Sequence, residues 1–297
     1  MEDAPIRWFL EPDDVMILDR GFRDALGYTE EHGFTVCTPQ SLGRHERQLS
    51  TEAANKSRLV TLVRWVVETV NGRMKQSFKI FRHKYFNIAL PNAMIDFKIA
   101  AALINATIES YGDNPLTEIF IEKIDQNVTR PNLLADYVDE QRLNAQKNVA
   151  FQRIEATSIE DFPRMTHDEL LIFSIGTYHV KLARSYCFQH VRETGVYTME
   201  VYRHPDTVNI NDEEGNMLIR CRIQSRHVQA RIYYCYILYN RNAITEYCCS
   251  CIHGRRTLGS CAHIISIVYY LSWGRYQGDL DEPAGFLDSV CIELEEY

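Results

Sequence analysis

The sequence has no run of 18 apolar residues; its longest apolar candidate, Ile264–Trp273, spans ten and contains Ser266 and two tyrosines. A helical membrane span needs about 20 such residues, so none is expected. A secretory leader is missing as well. The first fourteen residues, MEDAPIRWFLEPDD, place acids where a leader needs a basic flank and an apolar stretch. The expected location is therefore the cytoplasm or the nucleus. Glycine (14) and proline (9) are scarce among 297 residues, which excludes collagen-like sequence. Hydrophobic residues at 45% and charged residues at 24% exclude wholesale disorder. No internal repeat or low-complexity tract is present, and the length suits about two domains.

Positive charge is also scarce overall, with 32 Lys and Arg against 40 Asp and Glu, a net charge of -8. At first sight this argues against nucleic acid, whose phosphates repel an acidic surface. The distribution is uneven. From Arg44 to Lys98 there are eleven Lys or Arg against Glu46, Glu52, Glu68 and Asp96, a local +7. After Arg275 there is no base at all, but Asp279, Asp281, Glu282, Asp288, Glu293, Glu295 and Glu296 are present. The basic block 44–98 is a candidate DNA-binding segment; a solvated helix face is the competing reading.

Nine cysteines cannot all pair, and without a leader a disulfide framework is not expected. In that setting the Asn-x-Ser/Thr triplets at Asn55, Asn105 and Asn127 carry no glycosylation meaning. Four of the cysteines, Cys248, Cys249, Cys251 and Cys261, fall within fourteen residues. Clustering of this kind in a reducing compartment points to metal.

Along the chain, residues 13–19 (DDVMILD) predict a buried strand and Phe34–Cys37 a second short one. Leu59, Val63, Val66, Val67, Val70 and Met74 recur at helical spacing and predict a helix over Arg58–Lys79. Glu68 falls on its polar side, with Thr61, Arg64, Asn71 and Lys75. Ala93–Tyr111 predicts another helix, broken by Gly112-Asp-Asn-Pro115. Residues 119–154 are helical in composition, and a helix is expected at His167–Phe173. Beyond it, Val196–Arg203, Met217–Gln224, Gln229–Asn240 and Ile244–Cys249 read as strands, and Ala262–Tyr276 as a final helix. The expected division is 1–112, a helical linker 113–160, and an α+β domain 161–297.

The sharpest motif is Cys249-Ser-Cys251, nine residues, then Cys261-Ala-His263. Zinc takes four N or S ligands tetrahedrally, and two close pairs, one ending a strand and one starting a helix, can supply them. Four protein ligands leave no open position, so a structural Zn²⁺ is expected. Cys248, adjacent to Cys249, should point to the opposite strand face and pack as a thiol. His253, inside the loop, is a weaker competitor because a third ligand within one turn would be strained. Cys-x-Cys-x(n)-Cys-x-His on a strand–strand–helix resembles the SWIM zinc finger, over about residues 245–275. The resemblance implies a module that binds DNA or a protein partner.

A second constellation is Asp19, at a strand end, and Glu68, on the helix. Two-metal phosphodiester chemistry gathers carboxylates from separate elements around divalent ions such as Mg²⁺. The flanking residues, Asp19-Arg-Gly-Phe-Arg-Asp24 and Arg64-Trp-Val-Val-Glu68-Thr-Val-Asn-Gly-Arg-Met-Lys75, closely resemble the DDE superfamily endonuclease domain of Harbinger-type transposases, from about Asp13 to Ala102. The resemblance makes Asp19 the second and Glu68 the third acid of a catalytic triad in an RNase H-like fold. It implies α+β architecture, a partial RNase H-like (DDE) domain followed by an α+β domain ending in the zinc finger.

The strands that carry and follow the first acid have no counterpart here, because only about thirteen residues precede the strand bearing Asp19. The expectation is a nuclease-defective chain, unless upstream sequence supplies the first Asp. A half-sheet should also expose apolar surface. Finally, the valine stripe of the helix is expected to pack on Val15–Leu18, bringing Glu68 beside Asp19.

Overall fold

The computed structural model describes residues 10–11, 13–82, 90–110, 114–145, 150–190, 197–205, 208, 210, 215–225 and 231–277. Gly112 and the acidic residues after Arg275 named above lie outside the described residues. The chain divides into two units, one of residues 1–40 and 56–117, the other of residues 41–55 and 118–296.

In the first unit, β1 (Val15–Ile17) and β2 (Thr35–Cys37) pair in parallel, Met16 opposite Val36. A 3-10 turn over Arg20–Ala25 and helix α1 (Leu26–Glu31) connect them. Asp19 starts the connection: its carboxylate accepts the Arg20 N–H at 2.6 Å and caps the turn. The strand at 13–19 is thus shorter than expected, and it is not buried. Val15 is 57% exposed and Ile17 37%.

Helix α2 spans Thr51–Ser77, beginning seven residues before the expected Arg58. Ser50 explains the early start, because its Oγ accepts the Ala53 N–H at 3.2 Å as an N-cap does. The expected packing of its valines on β1 is not found, since Val66 is 61% and Val67 60% exposed. Two three-residue strands are too small a platform to bury a helix face. Helix α3 (Ala93–Thr107) buries Ala100 and Ile104 and leaves Met94, Ile95 and Ile99 exposed. Exposed apolar surface in this unit, expected of a half-sheet, is therefore present.

The second unit is built on a five-stranded antiparallel sheet in simple sequential order. Its strands are β3 (Phe151–Ile154), β4 (Tyr197–Tyr202), β5 (Met217–Gln224), β6 (Ile232–Tyr239) and β7 (Ile244–Cys249). Helices α4 (Thr117–Asn127) and α5 (Leu133–Glu140) precede it. The helical composition of 119–154 fails at β3, where pairing of Phe151 with Tyr202 overrides local preference. After α6 (His167–Ser174), Ile175 and Gly176 take φ of 51° and 124°, reversing the chain into α7 (Thr177–His190). No element was expected over these residues. Helix α8 (Ala262–Ser272) is followed by a 3-10 turn over Gly274–Tyr276, which ends the described fold. No helix of the described residues is long and apolar enough to cross a membrane.

Strand alternation feeds two cores. Ile219, Cys221, Ile223, Cys235, Ile237 and Cys249 join residues of α7 and α8 in one. Leu218, Tyr236, Leu238 and Cys248 join Leu134 and Val138 of α5 in the other. With both faces covered, the central strands carry apolar residues on both sides. A row of cysteines runs across three strands, Cys221 opposite Cys235 and Cys235 opposite Cys249.

Candidate metal centre

Cys249 closes β7 on the face of α7 and α8. The chain then turns tightly. Cys249 N–H donates to Gly254 O at 3.0 Å, and Gly254 N–H returns to Cys251 O at 2.9 Å. A Cβ on Gly254 would lie 1.9 Å from Cys249 O, so this turn admits only glycine. The same turn places Cys251 N–H 3.4 Å from Cys249 Sγ, a donor aimed at the sulfur. At the far end of the loop, Gly259 has φ of 62° and lies against Ser174 O, where a Cβ would come within 2.6 Å. Cys261 follows as the extended N-cap of α8, and His263 stands in the first turn.

These elements bring one atom each from Cys249, Cys251, Cys261 and His263 within 4.8 Å of one another. In a tetrahedron with zinc distances of about 2.3 Å to S and about 2.0 Å to N, the edges are about 3.8 Å (S···S) and about 3.6 Å (S···N). The His263 Nδ1 lies 3.8 Å from both Cys249 Sγ and Cys261 Sγ. Its Nε2 faces the Tyr186 hydroxyl at 3.3 Å. Nδ1 is therefore the nitrogen presented to an ion, and Tyr186 holds the opposite one, as outer partners of ligating histidines do. Cys248 lies in the opposite core, and His253 is not among the four.

Burial and mutual hydrogen bonding push the three thiols in different directions. Burial, with the proton it shares toward Cys235, holds the Cys249 thiol well above the usual range. Hydrogen bonding with Cys249 and Cys261 raises Cys251, with burial adding to it. Cys261 goes the other way: burial there is outweighed by hydrogen bonds with Cys249, Cys251 and His263, and its thiol is held low. Its place at a helix N-terminus also favours a thiolate. A divalent ion among the four would deprotonate all three thiols together.

Arg256 supplies an independent check. It is buried, its Nε has no partner, and no carboxylate pairs with it among the described residues. Its guanidinium donates to Ser260 O and lies 3.5 Å from His179 Nε2. Burial lowers its pKa, while Cys261 and Cys251 stabilise its charge. A buried charge needs a counter-charge. Three thiolates and a divalent ion sum to -1, which Arg256 balances. The donor set and this otherwise unbalanced guanidinium both fit zinc.

Sequence reasoning missed Tyr186, Arg256 and Cys235, whose Sγ lies 3.6 Å from Cys249 Sγ. None of the three had a readable signal: Cys235 faces Cys249 only because a bulge at Leu238/Tyr239 shifts the strand register by one residue. The acidic pair fares differently. Asp19 is exposed and caps its own turn. Glu68 lies on α2, but its side chain, like those of Arg64 and Trp65, is outside the described residues. Mg²⁺ at that pair stays an expectation of the sequence.

No curated protein and no solved structure matches the chain. Residues 2–105, 104 of the 297, match the family model described as DDE superfamily endonuclease, a span that holds both Asp19 and Glu68 but not the cysteine–histidine cluster.

Proposed function

We propose that this chain is a transposase-derived nuclear protein in which an endonuclease-like segment is followed by a structural zinc module of the SWIM type. The observation that carries the zinc reading is the convergence of four ligand atoms from Cys249, Cys251, Cys261 and His263. The family match over residues 2–105 supports the transposon ancestry. The module's role in this reading is binding, of DNA with help from the basic block 44–98, or of a protein partner. The Asp19–Glu68 pair is proposed as a remnant of the catalytic acids. The resemblance assigns two of three here, and Asp19 is engaged in capping, so the chain as given is proposed not to cleave DNA. The second reading is a metal-dependent endonuclease whose first Asp comes from sequence outside these 297 residues.

Metal analysis of protein purified without chelator tests the central claim. One zinc per chain is expected, retained in Cys248→Ser and lost in Cys261→Ser. Absence of zinc from the unmodified protein would remove the reading.

A further inference from the structure

Residues 41–55 are some two hundred positions from the metal loop, yet belong to the same unit. They attach to that loop at both ends. Gln48 Nε2 donates to Cys249 O at 2.5 Å and to Cys251 O at 2.8 Å, one amide bridging the carbonyls of two ligand residues. Leu49, buried, donates its N–H to Ile252 O at 3.0 Å. At the start of α2, Asn55 holds the other end. Its Oδ1 accepts the Thr257 and Leu258 N–H groups at 3.0 and 3.1 Å. Its Nδ2 donates to Thr257 Oγ1 at 2.8 Å and Val128 O at 2.9 Å. Asn55 is 1% exposed, and its amide is saturated.

We infer that Gln48 and Asn55 are positioning residues of the metal centre, pre-forming the loop that joins Cys251 to Cys261, so that metal uptake and docking of residues 48–55 are one coupled equilibrium. The inference rests on the zinc reading above. A loop of nine residues between ligand pairs loses conformational freedom when it closes on an ion. Any part of that loss already met by the docked segment is free energy the metal need not supply. Coupling of this kind is reciprocal, so the metal must hold the segment as firmly as the segment favours the metal. The docking also fixes what covers this face of the loop. It is the chain's own 48–55 segment, and a DNA or protein partner must use another face.

The test is Co²⁺ titration of the full chain with chelator competition, in wild type, Asn55→Asp and Gln48→Glu. Both variants keep side-chain size. The first turns an oxygen toward Val128 O; the second sets a carboxylate against the carbonyls of Cys249 and Cys251. Wild type is expected to bind one Co²⁺ with tetrahedral ligand-field bands. The variants should keep those band positions, because the ligands are unchanged, and lose about 10- to 100-fold in affinity, as outer-shell substitutions do. A merely structural role would lower thermal stability with and without metal and leave Co²⁺ affinity alone. Unchanged affinity in both variants overturns the inference and spares the metal reading. A wild type that takes up no Co²⁺ overturns both. If the variants do not fold, hydrogen exchange on wild type decides: chelation should speed exchange at the Leu49, Thr257 and Leu258 amides, and no change there overturns the coupling.

Discussion

Cys248 and Cys249 are neighbours in sequence and serve different cores. The strand period of two sends Cys249 to the metal cluster and Cys248 among Leu134, Val138 and Tyr236, where burial pushes its thiol pKa well up. A raised pKa keeps Cys248 a neutral, inert thiol. At the same scale, Gly254 has no substitute, because its missing side chain lets the turn between Cys249 and Gly254 close. Gly254→Ala is expected to cost at least about 2 kcal/mol and to reduce zinc content, since Cys249 O or the loop must move to admit the methyl. Chemical denaturation and metal analysis check this. A stable, fully zinc-loaded variant would show that the turn is softer than its geometry implies.

At the scale of elements, α2 is the clearest case of a periodic pattern whose burial did not follow. Its valines lie on one stripe, yet Val63, Val66, Val67 and Val70 are 41–61% exposed. Periodicity reports which residues share a face; it does not report what covers that face. In this structure the double change Val66→Asp with Val67→Asp should alter stability by no more than about 1 kcal/mol, as two exposed substitutions do. Burial against β1 would instead make it cost several times more. Equilibrium denaturation separates the two. Helix α6 behaves as its sequence suggests. Thr166 and Glu169 form a reciprocal capping box, and hydrogen bonds from the Thr166 backbone and side chain hold the Glu169 carboxyl below its usual range. Helix α7, where no element was expected, shows the converse of α2: Val180, Ala183, Tyr186 and Cys187 are buried.

For the whole molecule, net charge and local charge point in different directions. The sequence total is -8, while residues 44–98 carry a local excess of positive charge. If the DNA reading holds, duplex binding should weaken steeply as salt rises from about 50 to about 200 mM, because phosphate contacts release counterions. Binding that ignores salt, or none at low salt, would remove DNA as the partner. Plasmid incubated with the chain in Mg²⁺ or Mn²⁺ should stay intact. Cleavage that disappears in Glu68→Gln would establish the endonuclease reading instead.

The convergence of Cys249, Cys251, Cys261 and His263 was readable because they lie within fifteen residues, in a type and spacing that zinc chemistry restricts. The strands of the second unit were readable for a similar reason, since alternation records which side is buried. By contrast, which nitrogen of His263 faces the cysteines depends on Tyr186, 77 positions away. The loop's closure depends on Gln48 and Asn55, about two hundred positions away. Balance of the buried charge depends on where Arg256 is enclosed. These contacts join residues with no shared local pattern, so only chain folding brings them together. A sequence window carries propensity and period, whereas hydrogen-bond geometry and dielectric environment belong to the assembled neighbourhood.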